Sequence, residues 1–340
     1  MKHWLARAVF CLALPGAALA DVADLDGAVD GHILPGFRAL SQSTEALART
    51  AQDHCAPEDA ALREAYGQAF DDWIKVSHLR FGPSEEEGRA FALAYWPDPR
   101  SKTPKALGQL MAEADPVAES AEHYADVSIA ARGFYALEYL LYDPEFSGDL
   151  PAPQAGYRCQ LIQAVTADMA ATAAVIWQGW DGDYAARLRA PGENDTYRTE
   201  AEAAQQLFTA LSGGLEFTSA MRLGRPMGTF DRPRPQRAEA RRSGRSLRHV
   251  VLSLEAMREL TGYLAAGAPD VAQGLDAAFV KALAEAEALD DPIFAEVATP
   301  QGRLHVEVLQ QAVEEIRHSL AEDLGPRLGI AAGFNALDGD

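Results

Sequence analysis

Apolar residues recur three or four positions apart along nearly the whole chain, which is the spacing of one face of an α-helix. In the first such segment the apolar positions are Ile33, Phe37, Leu40 and Leu47. The same spacing predicts further helices over about 57–79, 105–111, 116–142, 157–180, 199–221, 246–265, 271–288 and 304–324. No segment alternates apolar and polar residues singly, as a half-buried strand would. The pattern therefore predicts an all-α protein.

Proline and glycine interrupt this helical pattern in two places. The segment 81–104 contains four prolines, so we predict a long and mostly irregular loop there. Loop signals return in Asp181-Gly-Asp183 and in the Pro-Gly pair that follows Ala190. We place the domain boundary at this point. The division gives an N-terminal helical bundle over residues 21–190 and a C-terminal helical bundle over residues 191–340.

The first twenty residues have the composition of a secretory signal peptide. A short basic start with Lys2 and Arg7 leads into the apolar run 8–14, and an Ala-x-Ala pattern ends at Ala20. The apolar run is too short to remain as a membrane span, and no later segment approaches about 18 uninterrupted apolar residues. We therefore predict that residues 1–20 are a signal peptide, that cleavage follows Ala20, and that the mature chain has no transmembrane segment.

The mature chain is strongly acidic. The full sequence has 30 lysines and arginines against 50 aspartates and glutamates, a net charge of −20, and losing Lys2 and Arg7 with the leader makes it −22. Such a surface repels nucleic acid and anionic membranes and attracts cations. We therefore expect no nucleic-acid partner.

Cysteine usage fits an exported protein. Of the three cysteines, Cys55 and Cys159 remain after cleavage of the leader. An even pair in an oxidising compartment predicts one disulfide. It would close a loop of roughly 100 residues, for which chain entropy gives about 4 to 5 kcal/mol of stabilisation at best.

The stretch 132–143, Arg-Gly-Phe-Tyr-Ala-Leu-Glu-Tyr-Leu-Leu-Tyr-Asp, contains an acid in apolar surroundings. At helical spacing Phe134 and Leu137 share one face, whereas Tyr135 and Glu138 fall together on another. Burying a carboxylate without a partner costs several kcal/mol. Glu138 is therefore either solvated at the edge of the apolar face or held by a cation, an arginine or tyrosine hydroxyls.

The run Gly133-Phe-Tyr-Ala-Leu-Glu138 resembles the Gly-x-His-x-x-Glu signature of imelysin-like proteins, with Tyr135 where the family pattern has histidine. Arg80-Phe-Gly-Pro83, Tyr95-Trp-Pro-Asp98 and the chain ending 328–340 also resemble family segments. The resemblance covers nearly the whole mature chain. It implies two helical bundles packed against each other, a periplasmic location and a link to iron uptake. The family takes its name from an insulin-cleaving metallopeptidase.

The resemblance also implies a site. Glu138 and Tyr135 stand at the metal-binding positions of the signature, and His78 lies in a family-like run that the resemblance places near the signature helix. Phenolate and carboxylate oxygens suit ferric iron better than the softer zinc, so the expected ligand is iron or another divalent or trivalent metal. The residue types themselves suggest a cleft, since Arg80, Trp96, Asp98 and Arg132 combine aromatic and charged groups as ligand-lining walls do. The alternative is that the loop 81–104 is a lid over a helix bundle, with its aromatic residues simply buried.

The arginine-rich segment, residues 222–248, departs from the overall charge. It has nine arginines and only two acids, Asp231 and Glu239. It could hold an anion, because guanidinium groups match carboxylate and phosphate geometry, or it could fasten the two domains by pairing with acids of the first. We favour the fastening interpretation.

Several chemistries leave no signature in the sequence. His-Glu-x-x-His, Gly-x-Ser-x-Gly, the phosphate-binding Gly-x-x-x-x-Gly-Lys and Cys-x-x-Cys-His are all absent, so we expect no nucleotide and no c-type haem. We consider three functions and favour the first. The first is binding of a metal ion or small metal complex in a cleft between the domains, for iron acquisition together with other periplasmic or envelope uptake components. The second is a metallopeptidase, and the third is a metal-free docking protein for an anionic ligand or a protein partner.

We expect mass spectrometry of protein recovered from the periplasm to find Asp21 as the first residue, because the Ala-x-Ala pattern ends at Ala20. Recovery of soluble cytoplasmic protein with an intact leader would contradict this prediction. It would also remove the oxidising environment on which the expected disulfide depends.

Overall fold

The computed structural model describes residues 22–330, so the leader, its cleavage site at Ala20 and the last ten residues lie outside the described residues. Between these limits the chain forms nine helices of ten residues or more. They are α1 (Leu34–Asp53), α2 (Ala60–Val76), α3 (Lys102–Glu113), α4 (Gly133–Tyr142), α5 (Ala152–Gly179), α6 (Glu200–Glu216), α7 (Ser246–Leu264), α8 (Pro269–Glu287) and α9 (Pro300–Ser319).

Shorter helical segments and turns connect or extend these helices. They are Leu25–Gly27, Ala28–Ile33, Gly82–Ser84, Glu86–Gly88, Arg89–Leu93, Pro116–Glu119, Ala121–Tyr124, Ile129–Ala131, Pro144–Ser147, Trp180–Tyr184, Ala185–Arg189, Phe217–Leu223, Gly224–Met227, Pro235–Arg237, Ala295–Ala298, Leu320–Leu324 and Gly325–Arg327. Within residues 22–330 the only β pairing is one isolated bridge between Thr229 and Arg232. The prediction of an all-α fold is therefore confirmed.

Side chains at the helix starts explain where several helices begin. Asp59 caps α2 by accepting a hydrogen bond from the Ala61 amide at 2.9 Å, and Thr299 caps α9 through the Gly302 amide at 3.1 Å. These contacts satisfy amides that have no partner inside the helix. Pro300 occupies the first position of α9, where a missing amide hydrogen costs nothing.

The helices pack in two groups. In the first group α1 packs against α2 and α5, and α5 also contacts α4. In the second group α7 packs against α6 and α8, and α9 contacts α6 and α8. Helix α2 packs against α7 and so joins the two groups. The exact division at residue 190 stays a prediction.

The first group is closed by an aromatic core and a disulfide. Phe70 of α2 and Phe134 of α4 stack with ring centroids 4.5 Å apart, and both side chains are fully buried. The Cys55–Cys159 disulfide joins the residues just after α1 to the first half of α5. The predicted bridge is therefore confirmed, and it constrains the separation of α1 and α5 in the unfolded chain.

The segment Ala152–Arg189, which begins with α5, is long and apolar enough to cross a membrane, and no other described helix meets the same criteria. Half of its most apolar window is buried inside the protein. Its Asp168 is buried and paired with Arg132, and its Arg158 is buried against backbone carbonyls. These features belong to the core helix of a helical bundle.

Two expectations about helix continuity were wrong. The predicted helix 116–142 is broken into short helices, and a new helix, α4, begins only at Gly133 after the extended residue Arg132. Conversely, the predicted irregular segment 81–104 contains a helix at Arg89–Leu93, and its irregular part is 94–101, which includes a cis peptide bond between Trp96 and Pro97.

Gly133 explains why the break occurs where it does. Its φ is +74°, in the left-handed region that favours glycine. A Cβ at this position would lie 2.1 Å from the carbonyl oxygen of Leu93 and 2.4 Å from that of Ala92. Only glycine therefore lets α4 begin directly against the backbone of the neighbouring segment.

We expect Gly133→Ala to lower the free energy of unfolding by at least about 2 kcal/mol, because it adds both a strained φ and a backbone clash. Urea denaturation measures this change. Gly156→Ala is the matched control: Gly156 lies in α5 with open space at its Cβ position, so the variant should gain roughly 0.5 to 1 kcal/mol. Equal effects of the two substitutions would contradict the explanation.

Candidate functional site

A pocket of about 170 Å³ lies where the two helix groups meet. The end of α2, the irregular segment 94–101 and α4 form one side, whereas α6, α7 and the arginine-rich segment form the other. The lining residues are Trp73, Ser77, His78, Arg80, Ala94, Trp96, Tyr135, Gly213, Gly214, Phe217, Arg222, Glu239, Ser253 and Met257.

Four of the seven site residues expected from the sequence line this pocket. They are His78, Tyr135, Arg80 and Trp96. The other three, Glu138, Asp98 and Arg132, are not among the lining residues. The structure therefore brings together part of the expected metal set and part of the expected cleft.

Glu138 is buried, with 2% of its surface exposed, and its partner comes from the arginine-rich segment. Its Oε1 accepts hydrogen bonds from the backbone amide of Ser243 at 2.9 Å and from the Ser243 hydroxyl at 2.8 Å. Burial raises the pKa of Glu138, although Ser243 and the nearby Arg242 oppose the rise. Of the alternatives open at the sequence level, solvation at the edge of an apolar face is excluded.

Asp98 and Arg132 make local structural contacts. Asp98 Oδ2 accepts a hydrogen bond from the Thr103 amide at 2.8 Å, in the first turn of α3. Arg132 donates two hydrogen bonds to Asp168, at 2.9 and 2.7 Å, and a third to the Ala125 carbonyl. A bidentate pair of this kind fixes the approach to α4 against α5.

Tyr135 faces a buried carboxylate. Its hydroxyl donates to Glu239 Oε1 at 2.5 Å, and Arg222 Nε donates to Glu239 Oε2 at 2.7 Å. His249 Nδ1 lies 3.2 Å from the same Oε2. Burial alone would raise the pKa of Glu239, but the Arg222 guanidinium, together with His249 and Tyr135, outweighs it and lowers the pKa to about 2. Glu239 is therefore a carboxylate at neutral pH.

The same environment keeps the proton on Tyr135. Burial, followed by the charge of Glu239 and the hydrogen bond to it, raises the pKa of the phenol well above its ordinary value. In this arrangement Tyr135 acts as a hydrogen-bond donor. To bind a metal as a phenolate, Tyr135 would first have to lose that proton.

His78 has a free ring nitrogen. The residue is buried, with 5% of its surface exposed, and its Nε2 lies 3.1 Å from Nε2 of His32. Among residues 22–330 nothing hydrogen-bonds to His78 Nδ1, and the same holds for the buried hydroxyl of Ser253 in the same pocket. Burial, with smaller contributions from His32 and Arg222, lowers the pKa of His78 well below its ordinary value. The imidazole is therefore neutral and keeps a metal-binding lone pair.

The donor set fits a directly chelated metal ion only in part. In the described part of the chain no group of three histidine, cysteine, aspartate or glutamate side chains is placed to hold a metal. Glu138 is bonded to Ser243, and Tyr135 is bonded to Glu239. Within residues 22–330 two of the three expected ligands keep an atom without a hydrogen bond, His78 at Nδ1 and Glu138 at Oε2.

The arginine-rich segment contacts the first helix group through several ion pairs. Arg242 pairs with Asp143 at 2.6 Å, and Arg248 pairs with Asp71 at 2.6 Å. Arg245 pairs with the same Asp71 and donates to the Gly67 carbonyl. These contacts, with the Ser243 bonds to Glu138, are those that the fastening interpretation requires.

Sequence reasoning missed three residues of this site. His249, His32 and Ser253 were not singled out, because none lies in a recognisable motif and each meets its partners only through the fold. Arg222 was included only as the first residue of the arginine-rich segment. Glu239 did leave a signal, since it is one of two acids in the arginine-rich segment. An isolated acid among arginines is a reasonable candidate for a buried ion pair.

Comparison with known proteins places these features in a family. The family model described as Imelysin matches residues 33–320. Iron-regulated protein A of Synechococcus elongatus is 24% identical over 320 residues, which cover 89% of this chain and 85% of that protein. The crystal structure of an imelysin-like protein from Psychrobacter arcticum superimposes with a TM-score of 0.75 at 21% identity, covering 91% of this chain and 96% of that one.

The structure defines an all-α protein built from two packed groups of helices, with a pocket between the groups beside α4, the helix that carries residues 133–138. Because the family model matches most of the sequence, the chain belongs to the imelysin family. The family resemblance inferred from the sequence is therefore confirmed. That Tyr135 stands in place of a signature histidine stays a prediction.

We expect Glu239→Gln to lower the free energy of unfolding at pH 7 by roughly 3 kcal/mol, because it leaves Arg222 buried without its counter-charge. The pKa of Glu239 falls from about 4.5 to about 2 on folding, so its stabilisation is complete above pH 4.5 and is lost as the pH falls toward 2. Denaturation of wild type and variant across this range measures the difference, which should shrink as the pH falls.

Glu138→Gln is the matched control for that experiment. The pKa of Glu138 is raised on folding, so its charge is less favourable in the folded protein and its pH dependence has the opposite sign. The variant should keep the acid-dependent loss of stability seen in wild type. If Glu239→Gln also keeps it, Glu239 is not the group responsible.

Proposed function

We propose that the protein is exported to the periplasm and binds iron, as a small complex, in the pocket between the two helix groups. The observation that carries this proposal is the buried, neutral His78, which lines the pocket and whose Nδ1 has no hydrogen-bond partner within residues 22–330. Further support comes from membership of the imelysin family and from the name of its relative, iron-regulated protein A. Export is supported by the leader-like composition of residues 1–20.

The composition of the pocket favours a metal complex over a bare ion. His78 supplies one nitrogen ligand, and the Ser253 hydroxyl supplies a second, weaker polar contact. The remaining coordination positions would be filled by water or by the oxygen atoms of a small chelator. Arg80 and Arg222 line the same pocket and match the carboxylate groups that such chelators carry.

The other two expected metal residues have supporting positions in this proposal. Tyr135 holds Glu239, and Glu138 holds Ser243, so both residues of α4 fix the arginine-rich segment against the pocket. Arg222, which belongs to this segment, is thereby held beside Ser77 and His78. The Arg222 guanidinium would then already have its orientation before a ligand binds.

A second candidate function is metal-free binding of a small carboxylate. It is favoured by one observation, namely the presence of two arginines in a pocket walled by Trp73, Trp96 and Phe217. Metal binding and carboxylate binding make different demands on His78. A carboxylate, unlike a metal ion, does not bind the lone pair of an imidazole nitrogen. Its binding should therefore depend mainly on Arg222 and Arg80.

We expect purified mature protein to bind ferric citrate, and His78→Gln to weaken that binding at least tenfold, which is about 1.4 kcal/mol. Isothermal titration with ferric citrate, and iron analysis after dialysis, measure the change. His318→Gln is the control, because His318 is exposed and bonded only to Glu322 on the surface of the protein. Citrate without iron is titrated in parallel.

Three outcomes separate the candidates. Loss of ferric citrate binding in His78→Gln, with His318→Gln unchanged, supports the iron proposal. Equal binding of citrate with and without iron, unaffected by His78→Gln, supports the carboxylate alternative. Absence of binding to either probe contradicts both.

A further inference from the structure

A second cavity, of about 300 Å³, lies beside the pocket along α6 and its helical continuation Phe217–Leu223. We call it the outer cavity, and we call the pocket between the helix groups the inner cavity. Three residues, Arg80, Gly213 and Phe217, line both cavities. The two cavities therefore meet at these residues.

Gly213 leaves open space at this meeting point. A Cβ on the next residue, Gly214, would lie 2.6 Å from Cβ of His78 and 2.8 Å from Sδ of Met257, so close packing requires a glycine there. A Cβ on Gly213 would meet no atom of residues 22–330 within 4 Å outside its own helix. Because Gly213 lines both cavities, this empty space joins them.

Packing gives no reason for a glycine at position 213. A glycine inside a helix is destabilising relative to alanine. Gly156 and Gly274 also have open space at their Cβ positions, but both are exposed to solvent, whereas Gly213 is half-buried. What the missing side chain of Gly213 provides is a passage between the two cavities.

The outer cavity offers mainly apolar surface. The residues that line it alone are Gln206, Thr209, Ala210, Glu216, Ala220 and Met221. The one charged group among them, the Glu216 carboxylate, is paired with Arg317 at 3.3 Å. Ala220, Met221 and the ring of Phe217 present apolar surface. An alkyl or aryl group gains free energy by leaving water for such a surface.

The inner cavity and the boundary between the cavities carry positive charge. Arg222 lines the inner cavity, and its Cζ lies 5.0 Å from the ring centroid of Phe217. Arg80 stands at the boundary, where its Nε and Nη2 donate to Glu85 and its Nη1 makes no hydrogen bond within residues 22–330. The Arg80 side chain is 40% exposed, so this nitrogen is available to a carboxylate.

We propose that the two cavities are the two compartments of one binding site. The site takes a ligand with a carboxylate head in the inner cavity and an apolar arm that crosses Gly213 into the outer cavity. The arm is an alkyl or aryl group, because it lies against Phe217, Ala220 and Met221. The proposal rests on the proposed function, in which the inner cavity holds a carboxylate-bearing chelator or a free carboxylate, and it adds the chemistry of the rest of the ligand.

Straight-chain carboxylates of increasing length test the apolar arm without iron. We expect mature wild-type protein to bind octanoate more tightly than hexanoate, and hexanoate more tightly than butyrate, in calorimetric or NMR titrations. Each methylene that enters the outer cavity should lower the dissociation constant by up to about fourfold, which is about 0.8 kcal/mol. Equal affinity for the three carboxylates, or no binding of octanoate, would overturn the proposal.

Two variants obstruct the proposed path. Gly213→Leu places a side chain in the passage, and Ala220→Trp fills the exposed end of the outer cavity. In each variant the ratio of the butyrate to the octanoate dissociation constant should fall to less than about half of its wild-type value, because the methylenes no longer reach the outer cavity. If Gly213→Leu does not fold, Ala220→Trp gives the same readout from an exposed position.

Gly274→Leu is the matched control, because Gly274 lies inside α8 with open space at its Cβ position and lines neither cavity. Its ratio of dissociation constants should equal that of wild type. A ratio that stays at the wild-type value in either folded obstructing variant would show that the carboxylate chains bind elsewhere, and the proposal would be wrong.

Ferric citrate separates this proposal from the proposed function, because citrate has no apolar arm. If wild type binds ferric citrate but its affinity for carboxylates does not depend on chain length, the proposed function stands and the two-compartment site is wrong. If the affinity depends on chain length as expected but ferric citrate does not bind, the two-compartment site stands and the iron proposal fails.

Discussion

The buried pair between Glu239 and Arg222 is the interaction on which the rest of the site depends. Both side chains are nearly inaccessible to water, and a charge in such a place is tolerated only when its partner is present and well oriented. The pair draws in the Tyr135 hydroxyl from α4 and the His249 ring from α7. One carboxylate thus contacts both helix groups and the segment between them.

This constraint explains how an arginine-rich segment is accommodated in an acidic protein. Three of its positive charges are neutralised by ion pairs, since Arg242, Arg245 and Arg248 each contact an acid of the first helix group. The exposed pairs among them contribute little individually. Together with Glu239 and the Ser243 bonds to Glu138 they fix the position of the segment, and this position shapes one wall of the pocket.

The sequence predicted the helices well because helical periodicity is a local property. It also predicted the disulfide, since only one pairing is possible after removal of the leader. It did not predict the break before α4, because the need for Gly133 comes from the backbone at Leu93, forty residues earlier in the chain. The partners of Tyr135 and Glu138 lie 104 and 105 residues away, so the sequence indicated that Glu138 requires a partner but not which one.

Two positions of the family signature, 133 and 135, are constrained in different ways. Gly133 is required by backbone geometry, and any side chain there would collide with a neighbouring carbonyl whatever the pocket contains. Tyr135 is also buried, and besides donating to Glu239 its ring packs against Phe70 and Trp96. Position 135 is therefore constrained by side-chain packing and a hydrogen bond, whereas position 133 is constrained by the backbone itself. A replacement at position 135 has to fill the space of an aromatic ring as well as supply a partner for Glu239.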